Sequence, residues 1–275
     1  MNTFSRSWDL IGESFAVLRR DKKLLLFPIL SGLSTLAVAV LYFIPLFQMG
    51  ILQQYTDEGQ IDPTVYAWIF LWYCTNYFVI IFFNCALAAC AQIRFSGGEP
   101  TLGAGMSKAS SKLVSIMMWA VVAATVGTVL RVIEERSEWL GKIVSALLGV
   151  AWAVVTYMIV PVLVFEEKGV FESIQRSGEL LRKTWGERVG SCFGFFLPYL
   201  LLAIPGVVLG VVGIRMHPLG FIPALLYFLL LGAAMSAVRG IFAVALYRFA
   251  TQGEAPAGFS QVILNGAFVD LSKKS

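Results

Sequence analysis

The run LLLFPILSGLSTLAVAVLYFIPL, residues 24–46, contains no charged side chain and follows directly on Arg19-Arg20-Asp21-Lys22-Lys23. At about 1.5 Å of rise per residue it is long enough to cross a hydrocarbon core of ~30 Å as one helix. It is too long for the apolar region of a cleaved leader, and no small-residue cleavage site follows it. It is therefore expected to stay in the chain as a first membrane span.

Five more runs of the same character lie further along: residues 64–92, 113–130, 142–165, 189–214 and 218–247. The second and sixth spans exceed what the hydrocarbon needs and are expected to tilt or protrude. Composition agrees. Apolar residues make up 58% of the 275-residue chain, charged residues 14%, and the mean hydropathy is +0.77. Too few polar side chains remain to cover a water-facing surface. The expected fold class is all-α: a polytopic membrane protein of six transmembrane helices in a single membrane domain, residues 1–275. The net charge of +4 is small and the basic residues are scattered, so nucleic acid is set aside as a partner.

Lys and Arg decide the orientation. With the N-terminus inside, the clusters Arg19-Arg20, Lys22-Lys23, Arg182-Lys183 and Lys273-Lys274 all fall on the inner side. The outer side keeps only Arg131, Arg136, Lys142 and Arg215, and the first outer loop carries Asp57, Glu58 and Asp62. Both termini are then cytoplasmic, and the expected location is the cytoplasmic (inner) membrane. Tyr66, Trp68, Trp72 and Tyr73 mark the outer end of the second span as interfacial aromatics.

Before the first span, Phe4, Trp8, Ile11, Phe15 and Leu18 recur at helical spacing, with Arg6, Asp9, Glu13 and Arg20 elsewhere on the wheel. This is an amphipathic helix suited to the headgroup plane. Before the fifth span, Phe171, Ile174, Gly178, Leu181 and Trp185 form a second stripe. Glu172–Arg176 and Glu179–Lys183 are spaced as i,i+4 pairs beside it. Residues 101–112 play the same part before the third span. Trp8 and Trp185 are the expected interfacial anchors.

The ends of the inward-running spans also correspond. Arg94-Phe95-Ser96-Gly97-Gly98-Glu99-Pro100 follows the second span, and Arg248-Phe249-Ala250-Thr251-Gln252-Gly253-Glu254-Ala255-Pro256 follows the sixth. Phe165 and Gly169 occupy similar places after the fourth. The shared order predicts three parallel hairpin repeats, residues 1–95, 96–168 and 169–256, each opening with an amphipathic cytoplasmic helix. A C-terminal amphipathic helix over 257–271 closes the chain. Chance similarity among hydrophobic hairpins is the competing explanation.

Several segments resemble a family of uncharacterised prokaryotic polytopic membrane proteins. They are Ser7-Trp8-Asp9-Leu10, Val17-Leu18-Arg19-Arg20-Asp21-Lys22, Leu26-Phe27-Pro28, Val160-Pro161-Val162-Leu163-Val164-Phe165-Glu166, Arg182-Lys183-Thr184-Trp185-Gly186-Glu187 and Leu246-Tyr247-Arg248-Phe249-Ala250. The resemblance covers nearly the whole chain. More loosely, the architecture is similar to membrane domains found beside some glycerophosphodiester phosphodiesterases. It implies six spans and carries no established activity, and nothing here is similar to the soluble phosphodiesterase domain.

Catalytic motifs are missing: there is no GxSxG, HExxH or Walker A sequence, and no paired carboxylates lie inside a span. Cys74, Cys85, Cys90 and Cys192 all lie in apolar runs without a CxxC pair, and His217 is the only histidine. A disulfide framework and a metal site are not indicated, and no cofactor is expected. The chain is not expected to be an enzyme.

Three polar residues interrupt the inward-running spans: Asn84, Thr156 and Arg239. Each lies nine or ten residues before the span's inner end, so they share a depth and are candidates for one intramembrane polar site. The competing reading gives them separate fates, with Asn84 and Thr156 bonding to backbone and Arg239 snorkelling to headgroups. Small residues form candidate packing ridges: Gly141, Ser145 and Gly149 on the fourth span, and Gly186, Gly190, Gly194, Gly206 and Gly210 along the fifth. Pro198 and Pro205 are expected to break the hydrogen-bond ladder of the fifth span.

Two functions remain open on the sequence. One is a non-enzymatic scaffold or lipid-organising, lipid-binding protein using its amphipathic helices. The other is a transporter or channel with a polar path near Asn84, Thr156 and Arg239. Membrane lipids are the expected partners, with membrane proteins or self-association as further options.

Overall fold

The computed structural model describes residues 3–48, 63–135, 140–185, 196–217, 219–261 and 264. Among these, every regular element is helical, as apolar chain in a bilayer must be to satisfy its own backbone. Helix α1 (Thr3–Arg20) passes through a 3-10 turn (Lys22–Leu25) into α2 (Leu26–Gln48). Then come α3 (Pro63–Phe95), α4 (Leu102–Ser110), α5 (Leu113–Glu135), α6 (Leu140–Val155), α7 (Ile159–Phe165), α8 (Val170–Trp185), α9 (Phe196–Met216) and α10 (Ile222–Gln252). Six helical stretches among the described residues are long and apolar enough to cross a membrane, with α6 and α7 together making the fourth. The protein is a multi-pass membrane protein.

The break in the fourth span falls at residues 156–158, which form a turn between α6 and α7. Pro161 explains it: the residue has no N–H to donate back to position 157, and its ring collides with that carbonyl. Two side chains bond to the backbone around the turn. The Met158 N–H donates to Ser177 Oγ at 3.1 Å, and Thr156 Oγ1 donates to the Trp152 carbonyl at 2.7 Å. The fifth span keeps its helical course. α9 continues as a helix through Pro205, whose missing N–H removes one rung of the ladder without ending the helix.

Adjacent spans pair as hairpins. α2 and α3 are joined by Tyr42 Oη with Thr75 Oγ1 (2.9 Å) and by Trp68 Nε1 donating to the Tyr42 carbonyl (3.1 Å). α5 and α6 are joined by Ser145 Oγ donating to the Leu130 carbonyl (3.1 Å) and by the stacked rings of Trp119 and Trp152, 5.6 Å apart. α9 and α10 meet backbone to backbone at Gly213 and Gly220, and Tyr227 Oη donates to the Leu202 carbonyl at 2.6 Å. The returning helices α3, α7 and α10 all touch one another. Cys85, Leu87, Ala88, Met158, Val162, Val238 and Ile241 fill the space around them as a dry core.

α3 and α10 are about 50 and 46 Å long, well beyond a hydrocarbon core of ~30 Å. The surplus projects at one end. The last large apolar side chain exposed on α3 is Ile80, on α6 Val155 and on α10 Leu230. Beyond that belt the returning helices are wrapped instead by protein: α4 packs on α3, α8 on α7, and α1 on α10. The amphipathic helices therefore form a collar around the projecting ends.

Candidate functional site

Each collar helix turns a mixed face inward. α1 buries Leu10, Ile11, Ser14, Val17 and Leu18, α8 buries Val170, Ser173, Ser177, Leu180 and Leu181, and α4 buries Gly105 and Ala109. A small residue (Ser14, Gly105, Ser177) is followed four positions later by another buried residue (Leu18, Ala109, Leu181) in all three. The smallness is needed at Gly105, where a Cβ would stand 2.8 Å from the Ala86 carbonyl oxygen and 2.9 Å from the ring of Phe27. Two of the buried serines use their hydroxyls: Ser14 Oγ donates to the Leu10 carbonyl, and Ser177 accepts from Met158, while Ser173 Oγ is buried without a partner among the described residues.

This differs from the stripes expected on the sequence. The apolar arcs are wide enough to serve two neighbours, and they divide. One flank meets the protein, while Trp8 (46% exposed) and Phe171 (74% exposed) face outward. Phe15 and Ile174 lie between, half-buried. The side chains of Phe4 and Trp185 lie outside the described residues.

At the centre of the collar, Glu166 gathers four elements. Its Oε1 accepts from Arg176 Nε on α8 and from Tyr247 Oη on α10, both at 3.2 Å, and its Oε2 lies 3.1 Å from Lys168 Nζ. Its backbone carbonyl accepts from Lys112 Nζ, just before α5, at 3.4 Å. Burial alone would push the Glu166 carboxyl up, but the Lys168 and Arg176 cations outweigh it and hold the group below the usual carboxylate range. Arg176 is thus committed to Glu166, and also lies 3.8 Å from Glu179. Glu172, the expected i,i+4 partner of Arg176, instead accepts the Gly169 N–H at 3.3 Å. Lys183, expected to pair with Glu179, has a side chain outside the described residues. Nearby, Arg248 reaches Ser96 at 3.4 Å, linking the ends of α10 and α3.

The collar's outer surface carries both signs, with Glu99, Glu167, Glu172 and Glu179 exposed beside a set of cations. Arg19, Arg20, Lys22, Lys23, Lys108 and Arg182 are all exposed, and none has a carboxylate partner among the described residues.

The three polar residues singled out within the spans are not joined to one another. Thr156 turns onto its own helix, Asn84 is half-buried without a hydrogen bond among the described residues, and Arg239 is exposed. They lie past Ile80, Val155 and Leu230, at the inner edge of the apolar belt. Arg239 stands about 26 Å along α10 from Ile222, close to a full hydrocarbon thickness.

Among the ridge residues, Gly141 is buried, Ser145 bonds to Leu130, and Gly149 has Leu130 as its neighbour, so this ridge faces α5. Gly206 and Gly210 face Phe228 and Ala224 of α10. Gly186, Gly190 and Gly194 lie outside the described residues. No cluster of metal-ligating side chains occurs among the described residues. Cys85 and Cys90 are free thiols, and Cys90 Sγ donates to the Thr101 carbonyl at 3.3 Å.

A polytopic helical bundle with a collar of amphipathic helices defines the class of protein. Within that class, the chain belongs to DUF6159, a family of unknown function whose pattern matches residues 63–259. The match takes in α3 to α10, including Glu166 and the α4 and α8 parts of the collar. No curated protein and no solved structure matches the chain.

Proposed function

We propose that the chain is a non-enzymatic lipid-binding protein of the cytoplasmic membrane that organises phospholipid around its collar. The carrying observation is the set of exposed cations, Arg19, Arg20, Lys22, Lys23, Lys108 and Arg182, placed on helices at the edge of the apolar belt with no carboxylate partner among the described residues. Cations in that position meet lipid phosphates, each contributing about 1 kcal/mol of attraction to an anionic surface. Transport is the weaker reading. A broken helix is where transporters place their sites, but the break at residues 156–158 is closed by Ser177 on Met158.

The repeat reading is supported by how the helices pack. α4 sits on α3, α8 on α7 and α1 on α10, so each amphipathic helix leans on the returning helix of the preceding unit and the ring closes. α5 on α3 and α2 on α10 repeat the relation. α9 packs chiefly on α10, so the third unit departs from it.

Two measurements test this reading. Native mass spectrometry of the detergent-extracted protein should find phosphatidylglycerol retained in preference to phosphatidylcholine; a protein stripped of all phospholipid under the same exchange would refute lipid binding. For orientation, Met216→Cys should react with an impermeant maleimide in intact cells, and Glu179→Cys only after permeabilisation. The reverse pattern would turn the collar to the outer face.

A further inference from the structure

A groove of about 380 Å³ opens on the side of the collar between α1 and α9. Gly12 and Ala16 make its floor on α1, Trp8 and Phe15 rise beside them, and Pro198 and Leu202 of α9 close the far side. Arg19 stands at one end. One turn of α-helix about 10 Å wide and 5.4 Å tall displaces roughly 420 Å³. The groove is on the scale of a single helical turn and is wide enough for a narrow flexible chain.

A second cation, Arg239 of α10, lies outside the groove's lining, and helix register places it near the α9 side. Met235, Arg239, Phe242 and Leu246 recur at steps of four, three and four, which places them in one stripe. Met235, Phe242 and Leu246 are 2%, 3% and 0% exposed, whereas Arg239 is open. The antiparallel register of α9 and α10 is set by Gly206 against Phe228 and Gly210 against Ala224. Continued inward, it brings Pro198 level with Ser236, less than one turn from Arg239. Towards its other end α10 meets α1, which is tied down by Glu13 accepting the Ser260 N–H at 3.1 Å. Arg239 thus opens between the helices that flank the groove.

Building on the lipid-binding reading, we infer that this groove holds one acyl chain of an anionic phospholipid, with the lipid phosphate between Arg19 and Arg239. Charge selects the occupant. Arg19 and Arg239 have no hydrogen bond or ion pair among the described residues, and Arg20, Lys22 and Lys23 continue the positive surface beyond Arg19. Asp9, the acid on this flank of α1, lies about 15 Å from Arg19 along the helix axis. An acyl chain covers Trp8, Phe15 and Leu202, and the phosphate replaces the missing counter-charge.

The test uses the full chain in detergent with synthetic phosphatidylglycerol and phosphatidylcholine, read by native mass spectrometry and by Tm without added lipid. A Cβ at Gly12 meets nothing within 4 Å, so Gly12→Trp fills the groove without displacing protein. It should leave the lipid-free Tm unchanged and lower phosphatidylglycerol occupancy roughly tenfold. Arg19→Gln and Arg239→Gln should each lower it roughly fivefold, the factor expected for one cation at an anionic headgroup. Gly103→Trp, at an equally open position on α4, should retain lipid like the wild type. A Gly12→Trp protein with wild-type Tm and wild-type occupancy overturns the groove while leaving lipid binding standing. Equal retention of phosphatidylcholine overturns the phosphate–arginine selection. Failure of the wild type itself to retain lipid overturns the broader reading.

Discussion

Gly105→Ala should unseat α4 from the bundle. The added Cβ would lie 2.7 Å from Cys90 Sγ, 2.8 Å from the Ala86 carbonyl oxygen and 2.9 Å from Phe27 Cζ. The thiol and the ring could shift, but the carbonyl belongs to the backbone of α3 at the centre of the core. Overpacking of this kind costs about 1–3 kcal/mol, and a backbone obstacle puts the expected loss near the top of that range. For a chain of this size that corresponds to a Tm lower by roughly 5–10 °C. Cys90, 1% exposed beneath α4, should become open to maleimide, while Cys85, 0% exposed and deeper in the core, stays protected. Gly103→Ala is the control: a Cβ there meets nothing within 4 Å, so the substitution should gain about 0.5–1 kcal/mol from helix propensity. Wild-type Tm and a protected Cys90 in Gly105→Ala would show that α4 does not pack this closely.

The spans were legible because the signal is one of length: twenty apolar residues without a charge admit few other readings. The collar helices were legible as helices, but their orientation was not. A stripe at helical spacing does not say which flank meets protein and which meets lipid, and in α1 the protein takes Leu10 and Val17 while Trp8 stays out. Ser14, Ser173 and Ser177, all 0% exposed, gave no apolar signal at all. The break at residues 156–158 was hidden for a related reason. Hydropathy is unbroken through Tyr157-Met158-Ile159-Val160, and Pro161 acts four residues upstream of itself. α1 packs against α10, so the length of that helix alone does not mark where its apolar surface ends.

The Glu166 cluster escaped sequence reading because its members are distant. Lys112, Glu166, Arg176 and Tyr247 come from four parts of the chain, and the local pair Glu172–Arg176 lost to the tertiary one. Its removal should have the second large effect. Glu166→Gln keeps the shape of the side chain but leaves Arg176 and Lys168 without their counter-charge at the junction of α5, α7, α8 and α10. Glu166 is 15% exposed, Arg176 32% and Lys168 37%, so solvent screens part of the loss, and about 2 kcal/mol is expected instead of the 3–5 typical of a fully buried pair. The pH dependence separates this from simple loss of packing. Because the folded carboxyl titrates below its ordinary value, the cluster's stabilisation is fully present above about pH 4.3, the usual glutamate value. It should be lost as the pH falls from there through the lower folded value. Wild-type Tm should therefore drop on acidification into that window, while Glu166→Gln, already lower at pH 7, should show a shallower acid limb. Parallel Tm–pH curves for the two proteins would mean that Glu166 contributes shape to the collar and not charge.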